Sequence, residues 1–222
     1  DLHPRVRRQR QMCIRDRIAF DLDGTIGETI PMCIKAFKQA VSPYAGHVLS
    51  EREIVQTFGL NEEGMIKMVA GEKWQEALHD FYPIYERMHE ECPKPYEDIC
   101  ELIKTLRAAG ILVALITGKG EKSCMITLEK FGMQNLFCSI KTGSEDKPNK
   151  ADAITELLHF YQLNEEEFCY VGDTVSDVAA CRTAGVTCLS AAWSAGADVA
   201  ALKEANPSKV FSSVKDLLHF LC

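Results

Sequence analysis

One recurring unit constrains the fold of this chain more than any other feature. A short, uninterrupted apolar run is followed by a turn and then by a segment with helical spacing. Ile18-Ala19-Phe20 runs into Asp21, residues 111–116 run into Thr117-Gly118, and residues 168–171 run into Gly172-Asp173. Residues 137–140 form a weaker run, residues 186–189 follow Gly185, and Val210-Phe211 ends the series. Runs without polar/apolar alternation suit strands covered on both faces, as in a parallel sheet flanked by helices. Over residues 97–109, Ile99, Leu102, Ile103 and Leu106 share one helical face, and Gly110 stops the helix. Strands alternating with helices predict an α/β fold with a doubly wound, Rossmann-like parallel sheet.

The interval from Glu28 to Pro93 breaks this rhythm and carries helix signals instead. Ser50-Glu51-Arg52-Glu53 is a capping-box pattern ahead of Ile54-Val55. Asn61 is placed to cap a segment containing Met65, Ile66 and Val69. Trp74, Leu78, Phe81, Ile84, Tyr85 and Met88 form a helical stripe, and Pro93 and Pro95 close the interval. The pattern predicts an α-helical cap over 28–94 inserted into an α/β core made of 18–27 and 95–222. The linkers fall near Gly27-Glu28 and at 92–95. The stripe is read as the core of the cap. His47, Phe58, Gly59, Leu60 and Asn61 are candidates to face the site.

Residues 1–17 differ from the rest. They hold six Arg and two Asp, a net of +4, against −7 for all 222 residues. They show no apolar period, and the run Met12-Cys13-Ile14-Arg15-Asp16-Arg17 looks like translated sequencing adapter. The stretch is expected to be a non-native leader. The acidic remainder argues against nucleic-acid partners and against an anionic membrane surface. No apolar run approaches the length needed to span a bilayer. The ten cysteines include no Cys-x-x-Cys pair, which disfavours a zinc knuckle or a redox motif. Most sit in apolar runs and read as small core residues in a reducing, cytoplasmic setting.

The chemistry concentrates where apolar runs end. In an open α/β sheet, ligands bind beyond the carboxyl ends of the strands. Asp21-Leu22-Asp23-Gly24-Thr25 follows the first run, and period two puts both carboxylates on one side of an extended chain. Such a pair repels unless a cation or a proton separates its members. One Asp can attack phosphorus while the other handles the proton of the leaving alcohol. Asp and Gly are also ordinary turn residues, so the pentapeptide alone is compatible with a surface turn. Thr117 and Gly118 offer a hydroxyl and free amides to phosphate oxygens. Lys147 offers a positive charge. Asp173 offers an oxygen ligand to magnesium, and Asp177, four residues on, is able to reach the same metal.

The set Asp21-x-Asp23-Gly24-Thr25, Thr117, Lys147 and Gly172-Asp173-x-x-x-Asp177 resembles the haloacid dehalogenase superfamily of phosphatases. The likeness is nearest to its phosphoglycolate-phosphatase-like branch with a helical cap and covers nearly all of 18–222. The resemblance implies that Asp21 is the nucleophile, forming an aspartyl-phosphate, and that Asp23 is the general acid and base. It further implies Mg2+ held by Asp21, Asp173 and the backbone carbonyl of Asp23, with Asp177 close by. Thr117, Gly118 and Lys147 would bind the phosphoryl group of a small-molecule phosphate ester. Glu28 stands where this branch often has Asp, and the second motif reads Thr117-Gly118-Lys119 where Asn often stands in the middle. A sugar phosphomutase and a pyrophosphatase are the enzymatic rivals. A phospho-acceptor signalling module is disfavoured, because its acceptor Asp follows a middle strand.

Overall fold

The computed structural model describes residues 17–221. Six parallel strands form one sheet: β1 (Arg17–Phe20), β2 (Leu112–Ile116), β3 (Ser139–Lys141), β4 (Phe168–Gly172), β5 (Thr187–Ala191) and β6 (Val210–Phe211). Their order across the sheet is β3-β2-β1-β4-β5-β6. The chain winds outward in one direction from β1 to β3 and in the other from β4 to β6. β1 and β4 therefore meet at the point where the winding reverses, and a crevice opens at their carboxyl ends.

Period-two alternation within the strands builds two cores, one on each face. Ile18, Phe20, Val113, Leu115, Cys169 and Val171 point to one face, where they join Ile99, Leu102, Ile103 and Leu106 of α5 (Ile99–Ala108). α6 (Glu121–Lys130) and α10 (Val214–Leu221) complete that layer. Ala19, Ala114, Ile116, Phe168 and Tyr170 point to the other face. There they meet α7 (Lys150–Tyr161), α8 (Val175–Thr183) and α9 (Val199–Ala205). This two-sided burial is why the sequence runs are continuously apolar.

Between β1 and α5 lie α1 (Ile30–Ala45), α2 (Glu51–Val55), α3 (Glu62–Ala70) and α4 (Trp74–Met88). Both expected caps form. Ser50 and Glu53 make a reciprocal capping box, and the Asn61 side chain accepts from Gly64 N–H at 3.0 Å. The expected stripe buries Phe81 and Tyr85, and Phe81 packs edge-on against Phe37 of α1 with ring centres 6.2 Å apart.

The strand bounds shift slightly from those expected. Ile111 precedes β2, and β3 begins two residues late, at Ser139, because only Ser139 to Lys141 pair with β2. Arg17, grouped with the leader on sequence grounds, is the first residue of β1. It pairs with Leu112 and Phe168, and its guanidinium lies over the Tyr161 ring at 3.1 Å. The rest of the expected leader, 1–16, lies outside the described residues. Among the described residues no helix is long and apolar enough to cross a membrane. Cys92, Cys124, Cys181 and Cys188 are buried, in line with a packing role.

Candidate active site

Asp21 is the first residue beyond β1 and is locked there by its backbone, whose N–H donates to Val171 O at 2.8 Å. Its Oδ1 accepts from Leu22 N–H at 2.8 Å. Its Oδ2 lies 2.5 Å from Lys150 Nζ. Asp173 follows β4, and Asp177 sits in the first turn of α8. One oxygen from each of Asp21, Asp173 and Asp177 lies within 4.8 Å of the other two.

Gly24 makes this approach possible. It adopts φ +74°, and a Cβ there would run into the Asp173 carboxylate. Gly172 is likewise excluded from carrying a side chain, since a Cβ would stand 2.6 Å from Asp177 Cγ. The glycines flanking both Asp residues are thus the space into which the carboxylates fit.

Burial pushes the Asp21 carboxyl up to about 7; Lys150 opposes this, and Asp177 and Asp23 add to it. Burial also pushes Asp173 up to about 8, with Asp21 and Asp177 as the neighbouring like charges. Three hard oxygen donors crowded in a buried crevice are the donor set a small divalent cation takes. Asp21, Asp173 and Asp177 fit that role, and a cation among them would favour their ionised forms.

The lysine that the structure places at the crevice is Lys150, not the expected Lys147. The Lys147 side chain is 69% exposed and pairs with Asp152 at 2.9 Å, away from the crevice. Lys150 is partly buried at the amino end of α7, 2.5 Å from Asp21 Oδ2 and 2.6 Å from Asp177 Oδ1. Burial pulls its ammonium down, but Asp177 and Asp21 outweigh this and hold it above the ordinary range. The physical reason is the turn at Pro148-Asn149, which carries Lys147 outward and starts α7 with Lys150 aimed back at β1. A lysine in the first turn of a helix faces the positive end of the helix dipole, so its position there needs carboxylate partners.

Asp23 stands apart from the three-carboxylate cluster. Its Oδ1 accepts from the Thr29 hydroxyl and lies 3.2 Å from Lys119 Nζ. Lys119 is 7% exposed, and its Nζ also donates to Cys33 Sγ at 3.1 Å and lies 4.8 Å from the Tyr85 ring centre. The Asp23 carboxylate, expected among the metal ligands, is therefore engaged by Thr29 at the start of α1 and by Lys119 rather than by the three-carboxylate cluster. Gly118 lines the cavity above Asp21. Thr117 is fully buried beneath, and its Oγ1 accepts from Lys119 N–H at 3.2 Å.

Two further features escaped the sequence reading. Glu62, 6% exposed, reaches from α3 to accept from Gly120 N–H at 2.8 Å and from the Ser123 hydroxyl. A carboxylate from one helix thus caps the amino end of α6. Glu28 accepts from Tyr96 OH at 2.6 Å, from Ser194 Oγ at 3.1 Å and from Ala195 N–H at 3.0 Å. It ties both linkers of the helical segment to the loop after β5. Of the residues singled out between α1 and α3, Phe58, Gly59 and Leu60 line the cavity. His47 is exposed and pairs with Glu53, and Asn61 donates to Gly143 O at 3.2 Å.

Residues 18–191 match the family model described as haloacid dehalogenase-like hydrolase. The chain is 30% identical over 187 residues to the phosphoglycolate phosphatase of Vibrio cholerae, covering 76% of this chain and 80% of that protein. It is 25% identical over 205 residues to pyrophosphatase PpaX of Halalkalibacterium halodurans, covering 90% and 94%. Among solved structures, a predicted phosphoglycolate phosphatase from Haemophilus somnus superposes with a TM-score of 0.80 at 20% identity, over 95% of this chain and all of that one. The last is a likeness of fold. The family match takes in β1 through β5 and every carboxylate and lysine of the crevice, and the chain belongs to the haloacid dehalogenase-like hydrolases.

Proposed function

We propose that this protein is a magnesium-dependent phosphatase that releases phosphate from a small phosphate monoester by way of an aspartyl-phosphate on Asp21. The observation that carries the reading is the meeting of Asp21, Asp173, Asp177 and Lys150 at the β1/β4 crevice. A carboxylate nucleophile approaching a phosphate dianion needs positive charge around it. Lys150 supplies one such charge. Magnesium, held by Asp21, Asp173 and Asp177 together with the Asp23 carbonyl, would neutralise phosphoryl oxygens.

An Asp21 oxygen attacks phosphorus, and the bond from phosphorus to the ester oxygen breaks. Asp23 gives a proton to the departing alcohol. Water then attacks phosphorus, Asp23 takes a proton from it, the bond to the Asp21 oxygen breaks, and inorganic phosphate leaves. Lys119 and Thr29 hold the Asp23 carboxyl in place for both transfers. Gly118 presents its backbone to the phosphoryl group, and Thr117 shapes the turn beneath it. The helices from α1 to α4 serve as a cap that excludes bulk water over the core of 18–27 and 95–222. The buried cysteines favour a reducing compartment, and we place the protein in the cytoplasm.

Phosphoglycolate is the substrate type implied by the resemblance, and pyrophosphate is named for the other relatives, so both are reference compounds. The decisive experiment is Asp21→Asn assayed with a generic aryl phosphate and magnesium. Loss of turnover is expected, and retained turnover overturns the assignment of the nucleophile.

A further inference from the structure

Above Asp21 lies a cavity of about 450 Å³, the size of a small-molecule site. Its two sides differ sharply. The side formed by the core carries Asp21, Asp173, Lys119 and Lys150. The side formed by the helical segment is Ile30, Phe37, Phe58, Leu60, Met65 and Phe81. The two polar residues on that side are already engaged. Cys33 Sγ accepts from Lys119 Nζ, and the Glu62 carboxylate is turned to Gly120 N–H and the Ser123 hydroxyl.

Charge points the same way. The cationic side chains lining the cavity are Lys119 and Lys150, and each is held by carboxylates, Asp23 for the first and Asp21 with Asp177 for the second. Asp21, Asp23, Glu62 and Asp173 line it as acids. A second anionic group on the substrate would lose its water against the apolar wall and find no unpaired cation among the lining side chains. Sugar hydroxyls turned to the helical segment would likewise exchange water for aliphatic and aromatic surface, since Asn149, Thr174 and Ser176 line the core side. An apolar group would gain by being buried there.

Building on the phosphatase reading above, we propose that the substrate carries an uncharged apolar group beyond its phosphate: a monoester of an aromatic or branched aliphatic alcohol. Phe58 supports this independently. It is 41% exposed at the mouth of the cavity, in a turn whose Gly59 adopts φ +110° and faces Pro148. An apolar ligand group in the cavity would cover part of this side chain and gain by its burial.

The test compares kcat/KM for benzyl phosphate and cyclohexylmethyl phosphate with kcat/KM for phosphoglycolate, pyrophosphate and glucose 6-phosphate, all with magnesium. Alkyl esters are used because their leaving alcohols resemble that of phosphoglycolate in acidity. The apolar esters are expected to be favoured at least about tenfold, the scale on which a hydrophobic pocket discriminates. Phe58→Ala, at an exposed position, is expected to cut kcat/KM for benzyl phosphate about tenfold and to lower the preference for benzyl phosphate over phosphoglycolate severalfold. Turnover that depends on Asp21 but favours phosphoglycolate, pyrophosphate or the sugar phosphate overturns the apolar assignment alone, as does an unaltered preference in Phe58→Ala. Absence of turnover across the panel, or turnover that survives Asp21→Asn, overturns the phosphatase reading and this assignment with it.

Discussion

Replacing Lys150 by methionine removes the ammonium while keeping most of the side chain's length and the helix-forming character of its position. Its Nζ lies 2.5 Å from Asp21 Oδ2 and 2.6 Å from Asp177 Oδ1, and the three side chains are 20%, 7% and 0% exposed. Removing one partner of a buried pair costs about 3–5 kcal/mol, because the remaining charge stays buried without compensation. For a chain of this size that is a fall in Tm of roughly 6–20 °C. The loss of a charge facing the phosphoryl group lowers kcat by about 10²–10³. The instability depends on pH with a defined sign. Below the range in which Asp21 ionises it carries a proton and no longer needs Lys150, so the variant is closer to wild type at pH 5 than at pH 8. Lys147→Met is the control: its exposed pair with Asp152 predicts an unchanged Tm and a kcat within about twofold, as for most surface ion pairs. Thermal denaturation in EDTA, paired with hydrolysis of an aryl phosphate at saturating magnesium, reads both effects. If Lys147→Met is inactive while Lys150→Met is active, the placement of the catalytic lysine is wrong.

Other outcomes follow from the same geometry. Gly24→Ala forces a side chain into φ +74° and against the Asp173 carboxylate; a stability loss of about 1–2 kcal/mol from the backbone alone is expected, with weaker divalent-cation binding by titration calorimetry. The carboxyls of Asp21 and Asp173, pushed up by burial to about 7 and about 8, set a pH dependence for the cation-free protein. A folded-state value above the unfolded one means that the fold binds extra protons. That stabilisation is full below about pH 4 and is lost as pH rises through 7 and 8. Tm in EDTA should therefore drop over this window relative to pH 5, and magnesium should raise Tm more at pH 8 than at pH 5; a magnesium effect independent of pH would contradict the carboxylate cluster as its site. Tyr96→Phe removes the hydroxyl that donates to Glu28 at 2.6 Å and should cost about 1 kcal/mol in chemical denaturation, with kcat for the aryl phosphate altered more than KM.

The sheet was legible because its four inner strands, β2, β1, β4 and β5, are covered on two faces, which leaves continuous apolar runs that end at a polar residue. Residues 168–171 into Gly172-Asp173 are the plainest instance. The carboxylates were legible for a related reason, since each is the first polar residue after a run or lies one helical turn beyond it. The lysine was not. Lys147 and Lys150 are three residues apart in a polar stretch, and which of them faces Asp21 depends on where α7 begins. Apolar periodicity cannot resolve that starting point, because Pro148 and Asn149 carry no periodic signal. Glu62 was hidden for another reason. Its partners, Gly120 and Ser123, lie some sixty positions away, and nothing local distinguishes it from the exposed acids that ordinarily open a helix.

The three bonds made by Glu28 bear on how material enters and leaves the crevice. Gly27-Glu28 and the segment before α5 leave the core side by side, and Glu28 fastens both to the loop after β5. The opposite margin of the helical segment meets the core through the Lys67 pair with Glu145 and through the Asn61 and Glu62 contacts. A rigid body pinned along one margin moves least there and farthest at the other, as a door does. The gap between Phe58-Gly59-Leu60 and Pro148 lies on the free margin, so it is the doorway, and bulky residues introduced there would slow traffic through it without touching Asp21.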